Sequence, residues 1–465
     1  MKKLLLLFFL IWSFAQAKIW TLSIISDHMV LQRNAKAKLW GWTTQTNEEI
    51  KLSTTWSDEV LSIKADQGYW EVEVPTPEAG GPYQIRIQAH ETITLKNIMI
   101  GEVWICSGQS NMEWTPMMGL DHAEEEIKEA NYPEIRFFNV PRHKSNHPQE
   151  DTKGSWSECS PKTMKNFSSV AYFFGRKLHK NLDIPIGLIS SNWGGTNIEV
   201  WIPKEKLMEK EALVEATKKL KRVPWWPEEV GVCYNAMIHP LIKFEIAGAL
   251  WYQGESNRIN AFSYYESFPL MIEQWRALWQ KEFPFYFVQI APYNYKTEQN
   301  IDAAIVRDAQ LSTMQRLAGT GMAVTNDIGN LADIHPTNKQ EVGRRLALWA
   351  LAKTYGKEDV SFSGPIYSSM EIENHAILLS FDYVEGGLMM KGEKLKEFYL
   401  AGTDQIFIEA EAVIEGNKIR VTHPDIKNPK AVRFAFSNRA EPNLYNKAGL
   451  PASAFRTDTW EIKLK

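Results

Sequence analysis

Apolar and polar residues alternate in short runs between Lys18 and about Asn97. Examples are Lys38–Trp42, Gly68–Val74 and Tyr83–Ile87. A period of two puts every second side chain on one face, so each run predicts a half-buried strand. The Ala79-Gly-Gly-Pro82 segment predicts a turn between two of them. Strands this short and this closely spaced predict an N-terminal β domain, 18–97, of the β-sandwich kind.

The pattern changes at Ile98. Nearly unbroken apolar runs follow at Ile98–Cys106, Ile184–Ser190, Ile246–Tyr252, Phe285–Ile290 and Met322–Thr325. Between them, Ser168–Lys180, Tyr264–Lys281, Ala303–Leu317 and Lys339–Tyr355 carry helical periodicity. Strands without polar alternation are buried on both faces, which predicts a parallel sheet between helices. The expected fold class is therefore α/β, with a three-layer domain over 98–360. Strand patterns return at Ala376–Phe381, Phe398–Ala401, Gln405–Ala410 and Ala431–Phe436. They predict a C-terminal β region, 361–465, either separate or completing the N-terminal sandwich.

Composition changes this picture mainly at the N-terminus. Lys2 and Lys3 precede the apolar run Leu4–Trp12, and Ala15-Gln16-Ala17 is a small-x-small cleavage pattern. Residues 1–17 thus read as a signal peptide, and the protein as exported to the periplasm or the medium. Loss of Lys2 and Lys3 would take the formal net charge of −4 two units further negative. A mildly acidic exported chain is a poor nucleic-acid binder. No later stretch is apolar for long enough to span a membrane. Three Cys are too few for a disulfide-built scaffold, and they lack the paired spacing of a zinc site. They allow one disulfide or none. The 18 Trp suit a core and also suit platforms for sugar rings.

Open α/β sheets bind ligands at the carboxyl ends of their strands. Four polar segments follow strand-like runs there. Gly108-Gln-Ser-Asn-Met112 can lift a serine hydroxyl above the sheet edge. Asp333-Ile-His335 pairs a carboxylate with an imidazole, the partners a serine nucleophile needs. Asn192-Trp-Gly-Gly-Thr196 and Gln253-Gly-Glu-Ser-Asn257 offer backbone and amide donors to an oxyanion. Each alone reads as an ordinary turn, and a serine there is commonly a helix cap. Their joint placement after strands of one domain is what points to a site.

Three blocks, Gly-Glu-Val-Trp-Ile-Cys-Ser-Gly-Gln-Ser-Asn-Met-Glu-Trp (101–114), Trp-Tyr-Gln-Gly-Glu-Ser-Asn (251–257) and Asp-Ile-His-Pro-Thr-Asn-Lys (333–339), resemble the sialate O-acetylesterase family of the SGNH hydrolase superfamily. Asp27–Gln32, Ala79–Tyr83 and Asn443–Pro451 extend the likeness along nearly all of the chain. The resemblance implies an SGNH-hydrolase-like fold and a serine esterase acting on an acetylated sugar or glycan. Ser110 then matches the nucleophile, His335 the general base and Asp333 the orienting acid. The superfamily usually separates its Asp and His by two residues. Here one intervenes, which keeps Asp327 as the alternative acid. Gly195, with Gly194 as alternative, matches the oxyanion glycine. Gln253, with Asn257 as alternative, stands for the oxyanion amide, and the Ser110 N–H is a third donor.

Glu113, Trp193, Glu255 and Arg307 are weaker candidates for binding substrate. Trp201, beyond the glycine loop, is a possible sugar platform, whereas Trp279 and Trp349 read as core. No cofactor and no metal are expected, and the oligomeric state is left open. O-acetylated sialic acid is the expected substrate. Acetylated xylan is the alternative, and a non-catalytic sugar-binding protein is the reading from another class.

Overall fold

The structure is a computed structural model that describes residues 18–220, 226–297 and 300–462. The expected signal peptide lies outside them. The central sheet is built from β1 (Thr92–Gly108), β2 (Tyr132–Asn139), β3 (Trp156–Cys159), β4 (Ile186–Asn192), β5 (Gly248–Tyr252), β6 (Phe285–Val288) and β7 (Thr320–Ala323). Their spatial order is β3-β2-β4-β1-β5-β6-β7. All neighbours from β2 to β7 pair parallel, and β3 runs antiparallel to β2. The main helices are α1 (Ser110–Glu113), α2 (Ser169–Leu182), α3 (Tyr264–Trp279), α4 (Asp302–Arg316) and α5 (Lys339–Trp349).

Unbroken apolar strands are explained by two apolar cores. Val103 and Ile105 point into one, with Met271 and Trp275 of α3 and Ile305 of α4. Trp104 and Cys106 point into the other, with Ala171 and Phe174 of α2 and Leu346 of α5. Alternate residues of β1 thus meet different helices, as the pleat requires. Helix starts are fixed locally. Ser168 caps α2 by accepting from the Ala171 N–H, and Asn338 caps α5 by accepting from the Glu341 N–H at 3.1 Å.

The expected boundary at 97/98 falls inside one strand. β1 is 17 residues long. Its first half pairs antiparallel with Gly80–Gln88, and its second half enters the parallel sheet. The Gly-Gly-Pro segment expected as a turn opens that partner strand instead. β2 and β3 went unpredicted because polar residues interrupt them; in β2 the buried positions are Ile135–Phe138. The helix expected over Lys339–Tyr355 is α-helical to Trp349 and widens into a π turn over Ala350–Thr354. Gln405–Ala410 shrinks to a strand at Ile408–Glu409.

Among the described residues, strands after 361 pair with one another and not with those of 18–97. The C-terminal region docks instead on the α/β domain. Asn438 Oδ1 accepts from the Ala303 N–H at 2.8 Å, and Gln289 Nε2 donates to Ser453 Oγ at 2.9 Å. All three cysteines are free and buried. No helix among the described residues is long and apolar enough to cross a membrane.

Candidate active site

Register aligns the strand ends. Gly108 of β1 lies between Asn192 of β4 and Tyr252 of β5. The three loops that follow therefore leave the same edge of the sheet side by side. Gly108 has φ +144°, and a Cβ there would sit 2.2 Å from the Tyr252 carbonyl oxygen. Only glycine allows this approach. The chain turns at once: the Gln109 N–H donates to the Tyr252 carbonyl at 3.0 Å, and α1 starts at Ser110.

The Asp333–His335 segment arrives from farther away. β7 is three strand positions from β1, about 14 Å at ~4.8 Å per strand. The loop between β7 and α5 crosses that distance and brings His335 Nε2 to 2.9 Å from Ser110 Oγ. On the other side of the ring, Nδ1 is 3.5 Å from Asp333 Oδ1. The same carboxylate oxygen accepts from the His335 backbone N–H at 2.9 Å. The Asp333 side chain is 55% exposed and that of His335 25% exposed. Trp114, one turn beyond Ser110, stacks on the imidazole. Burial and the Lys339 ammonium hold His335 below its usual basicity, against an opposing pull from Asp333.

Asp327, the alternative acid, is elsewhere. It receives both Arg345 amino groups at 2.6 and 2.8 Å in a buried ion pair. Arg344 and Arg345 lie on α5, where both pair with Glu341.

The glycine loop is tied to the turn by the Trp193 N–H, which donates to the Gly108 carbonyl at 3.1 Å. A Cβ on Gly194 would lie 3.2 Å from Ser110 Cβ, so this glycine is the one against the serine. Its N–H, however, is taken by Glu113 Oε2 at 2.9 Å. Glu113 Oε1 accepts from Arg142 Nε at 2.6 Å. Gly195, φ +79°, is covered by the indole of Trp226. Trp226 is 41% exposed and lines a cavity of about 680 Å³ with Lys144, Lys204 and Glu228. Neither Trp226 nor Arg142 was singled out from sequence. Their separation from the motifs left no signal beyond residue type.

The structure gives several of the expected site residues other roles. Gln253 is fully buried, and its amide hydrogens go to the Thr196 carbonyl and to Asn257 Oδ1, at 3.2 and 2.6 Å. None is left for an oxyanion. Asn257 is equally committed: its Nδ2 donates to both oxygens of Glu199. These two residues brace the loop between β5 and α3. Glu255 is buried beneath the site, where it accepts from Asn111. Arg307 is fully buried and donates to the Ser437 carbonyl, a contact with the C-terminal region. Trp201 is also fully buried, with its indole N–H on Thr196 Oγ1 at 3.0 Å. Glu113 binds the glycine loop rather than standing free, and Trp193 is half-buried against the core. Trp279 and Trp349 are core, as expected.

The chain is similar to known carbohydrate esterases. A family model described as carbohydrate esterase, sialic acid-specific acetylesterase, matches residues 100–352. Human sialate O-acetylesterase is 32% identical over 403 residues, covering 78% of this chain and 76% of that protein. The mouse sialate O-acetylesterase is 32% identical over 422 residues, covering 78% of each. Among solved structures, a carbohydrate acetylesterase from Xanthomonas citri superposes with a TM-score of 0.87 at 35% identity. The match covers 95% of this chain and 100% of that one. The chain is an esterase and belongs to the sialate O-acetylesterase family.

Proposed function

We propose that this protein is an exported serine esterase that removes O-acetyl groups from sugars, with O-acetylated sialic acid as substrate. The observation that carries the reading is the 2.9 Å contact of His335 Nε2 with Ser110 Oγ, with Asp333 behind the ring. A serine hydroxyl is a weak nucleophile until a base takes its proton. His335 accepts that proton as Ser110 Oγ attacks the acetyl carbonyl. Asp333 orients the imidazole and favours its protonated form. The tetrahedral oxyanion is held by the backbone N–H groups of Ser110 and Gly195. Gly194 is set aside because Glu113 occupies its N–H. His335 then returns the proton to the departing sugar oxygen. Water, activated by the same histidine, releases acetate from the acyl-enzyme.

The sugar stands on the open side of the glycine loop, over Trp226. An exposed indole over Gly195 suits the apolar face of a pyranose. Lys144 and Lys204 on the cavity wall suit the carboxylate of an acidic sugar. Other acetylated sugars, such as those of xylan, form the second reading. It is favoured by the likeness over 95% of the chain to a protein described as a carbohydrate acetylesterase.

Acetate release from acetylated sialic acid, acetylated xylan and an aryl acetate, with Ser110→Ala as control, tests both. Turnover of all three by the wild type only, with the highest kcat/KM on sialic acid, is expected. Acetate release by Ser110→Ala at the wild-type rate would sink the mechanism. A preference for xylan would move the assignment to the second reading.

A further inference from the structure

A lysine, an asparagine and a glutamate lie buried directly behind the proposed catalytic pair, unused by the chemistry above. Lys339 is fully buried, and its Nζ donates to Asn111 Oδ1 at 2.5 Å. Asn111, also fully buried, follows the nucleophile. Its Nδ2 donates to Glu255 Oε1 at 2.7 Å and to the Ile334 carbonyl at 3.1 Å. Glu255 Oε2 has no hydrogen-bond partner among the described residues. Asn111 thus joins three separate segments: the serine turn, the Gln253–Asn257 loop and the loop carrying His335.

An ammonium can only donate. With Lys339 on Oδ1, the Asn111 amide has one permitted orientation, and both its hydrogens point at acceptors. Ile334 is the residue between Asp333 and His335, so the bond to its carbonyl fixes the loop that presents both. Without the lysine, Asn111 Oδ1 is left buried with no other donor among the described residues, and the tether is weakened. Lys339 Nζ also lies 5.9 Å from the centre of the Trp114 ring, the ring stacked on His335, and 5.5 Å from that of Tyr252.

We propose that Lys339, Asn111 and Glu255 are positioning residues that together lock the His335 loop onto the Ser110 turn and place a compensated charge pair beneath the imidazole. The inference rests on His335 being the general base. A buried ion needs a partner, and here the amide of Asn111 spaces the two. The titratable groups that face Lys339 are Glu255, Asp333, His335 and Tyr252, with Tyr295 beyond Glu255. Burial pushes the lysine down to about 7, while Glu255 and Asp333 pull it up. It is therefore cationic over the more acidic range in which His335 titrates, and it makes protonation of the imidazole harder.

Two isosteric changes should act in opposite directions. Lys339→Met removes the cation and should move the acidic limb of kcat/KM to higher pH. Through the weakened tether it should also lower kcat about tenfold or more, with KM for an aryl acetate within about threefold of wild type. Glu255→Gln leaves the cation uncompensated and should move the acidic limb to lower pH. Direct titration of the His335 ring protons by NMR should show the same two shifts without reliance on turnover. Thermal unfolding separates these effects from a loss of fold, and Glu255→Gln serves alone if Lys339→Met does not fold. Folded variants whose acidic limb and ring titration both match wild type would overturn the proposal. His335→Ala keeps the two readings apart: full activity there removes the catalytic assignment itself.

Discussion

Trp114 lies flat on the His335 imidazole, with ring centroids 4.3 Å apart and planes inclined by 15°. The stack fixes the ring plane while leaving Nε2 free to face Ser110, and it dries one face of the imidazole. Trp114→Ala should therefore lower kcat by roughly 10–100-fold through misplacement of the base. It should also move the acidic limb of the pH profile upward, toward an ordinary histidine. A steady-state pH series on an aryl acetate checks both effects, and an unchanged profile would contradict this account of the stack.

Ser110→Ala removes the hydroxyl at hydrogen-bond distance from His335 Nε2. Turnover should fall by at least about 10,000-fold, since loss of a serine nucleophile is seldom compensated. The fold should be undisturbed. Mass spectrometry after a serine-directed phosphonate should show one adduct on the wild type and none on the variant.

The two candidate acids make different predictions. Asp333 is exposed and 3.5 Å from the ring, so solvent screens its pull. Asp333→Asn should cost about 10–100-fold in kcat. Asp327→Asn breaks a buried pair with Arg345 and should cost about 3–5 kcal/mol of stability. Its kcat per folded molecule should stay near wild type. Denaturant unfolding alongside kinetics separates the pair; loss of kcat in a folded Asp327→Asn, with Asp333→Asn silent, would reverse the assignment.

The pH dependence has a definite sign. Only neutral His335 can accept a proton, and its basicity is lowered from the ordinary value of 6.5. Activity should thus persist below pH 6.5 before it falls. For stability, Lys339 is about 7 in the folded protein against 10.5 unfolded. The unfolded chain binds more protons between these values, so this group makes the fold more stable as pH rises from about 7 to about 10.5. Urea midpoints at pH 7 and 9 should differ in wild type, and by less in Lys339→Met.

Trp226 offers a test of sugar placement. Trp226→Ala should raise KM for an acetylated sugar about tenfold, while KM and kcat for an aryl acetate change little. Equal effects on both substrates would place the indole outside sugar recognition.

Much of the candidate site was legible because it is local. Gly108-Gln-Ser110 must turn sharply after a buried strand, and Asp333-Ile-His335 carries its hydrogen bond within three residues. Gln253 misled for a related reason. An amide at a strand end looks available to an oxyanion. Whether it is free depends on Thr196 and Asn257, which approach from other parts of the fold.

By itself, the sequence determined five of the seven strands of the central sheet, four of its helices, the serine and the Asp-x-His segment. Each is written in hydrophobic period, glycine placement or residue chemistry over a few neighbouring positions. The tertiary structure alone decided what meets across long separations. Lys339 reaches Asn111, Asn111 reaches Glu255 and Ile334, Trp226 covers Gly195, and Asp327 is taken by Arg345. It also decided that one long strand crosses the expected domain boundary. Such pairings depend on strand order and on which loop folds back over the sheet, and neither has a period along the chain.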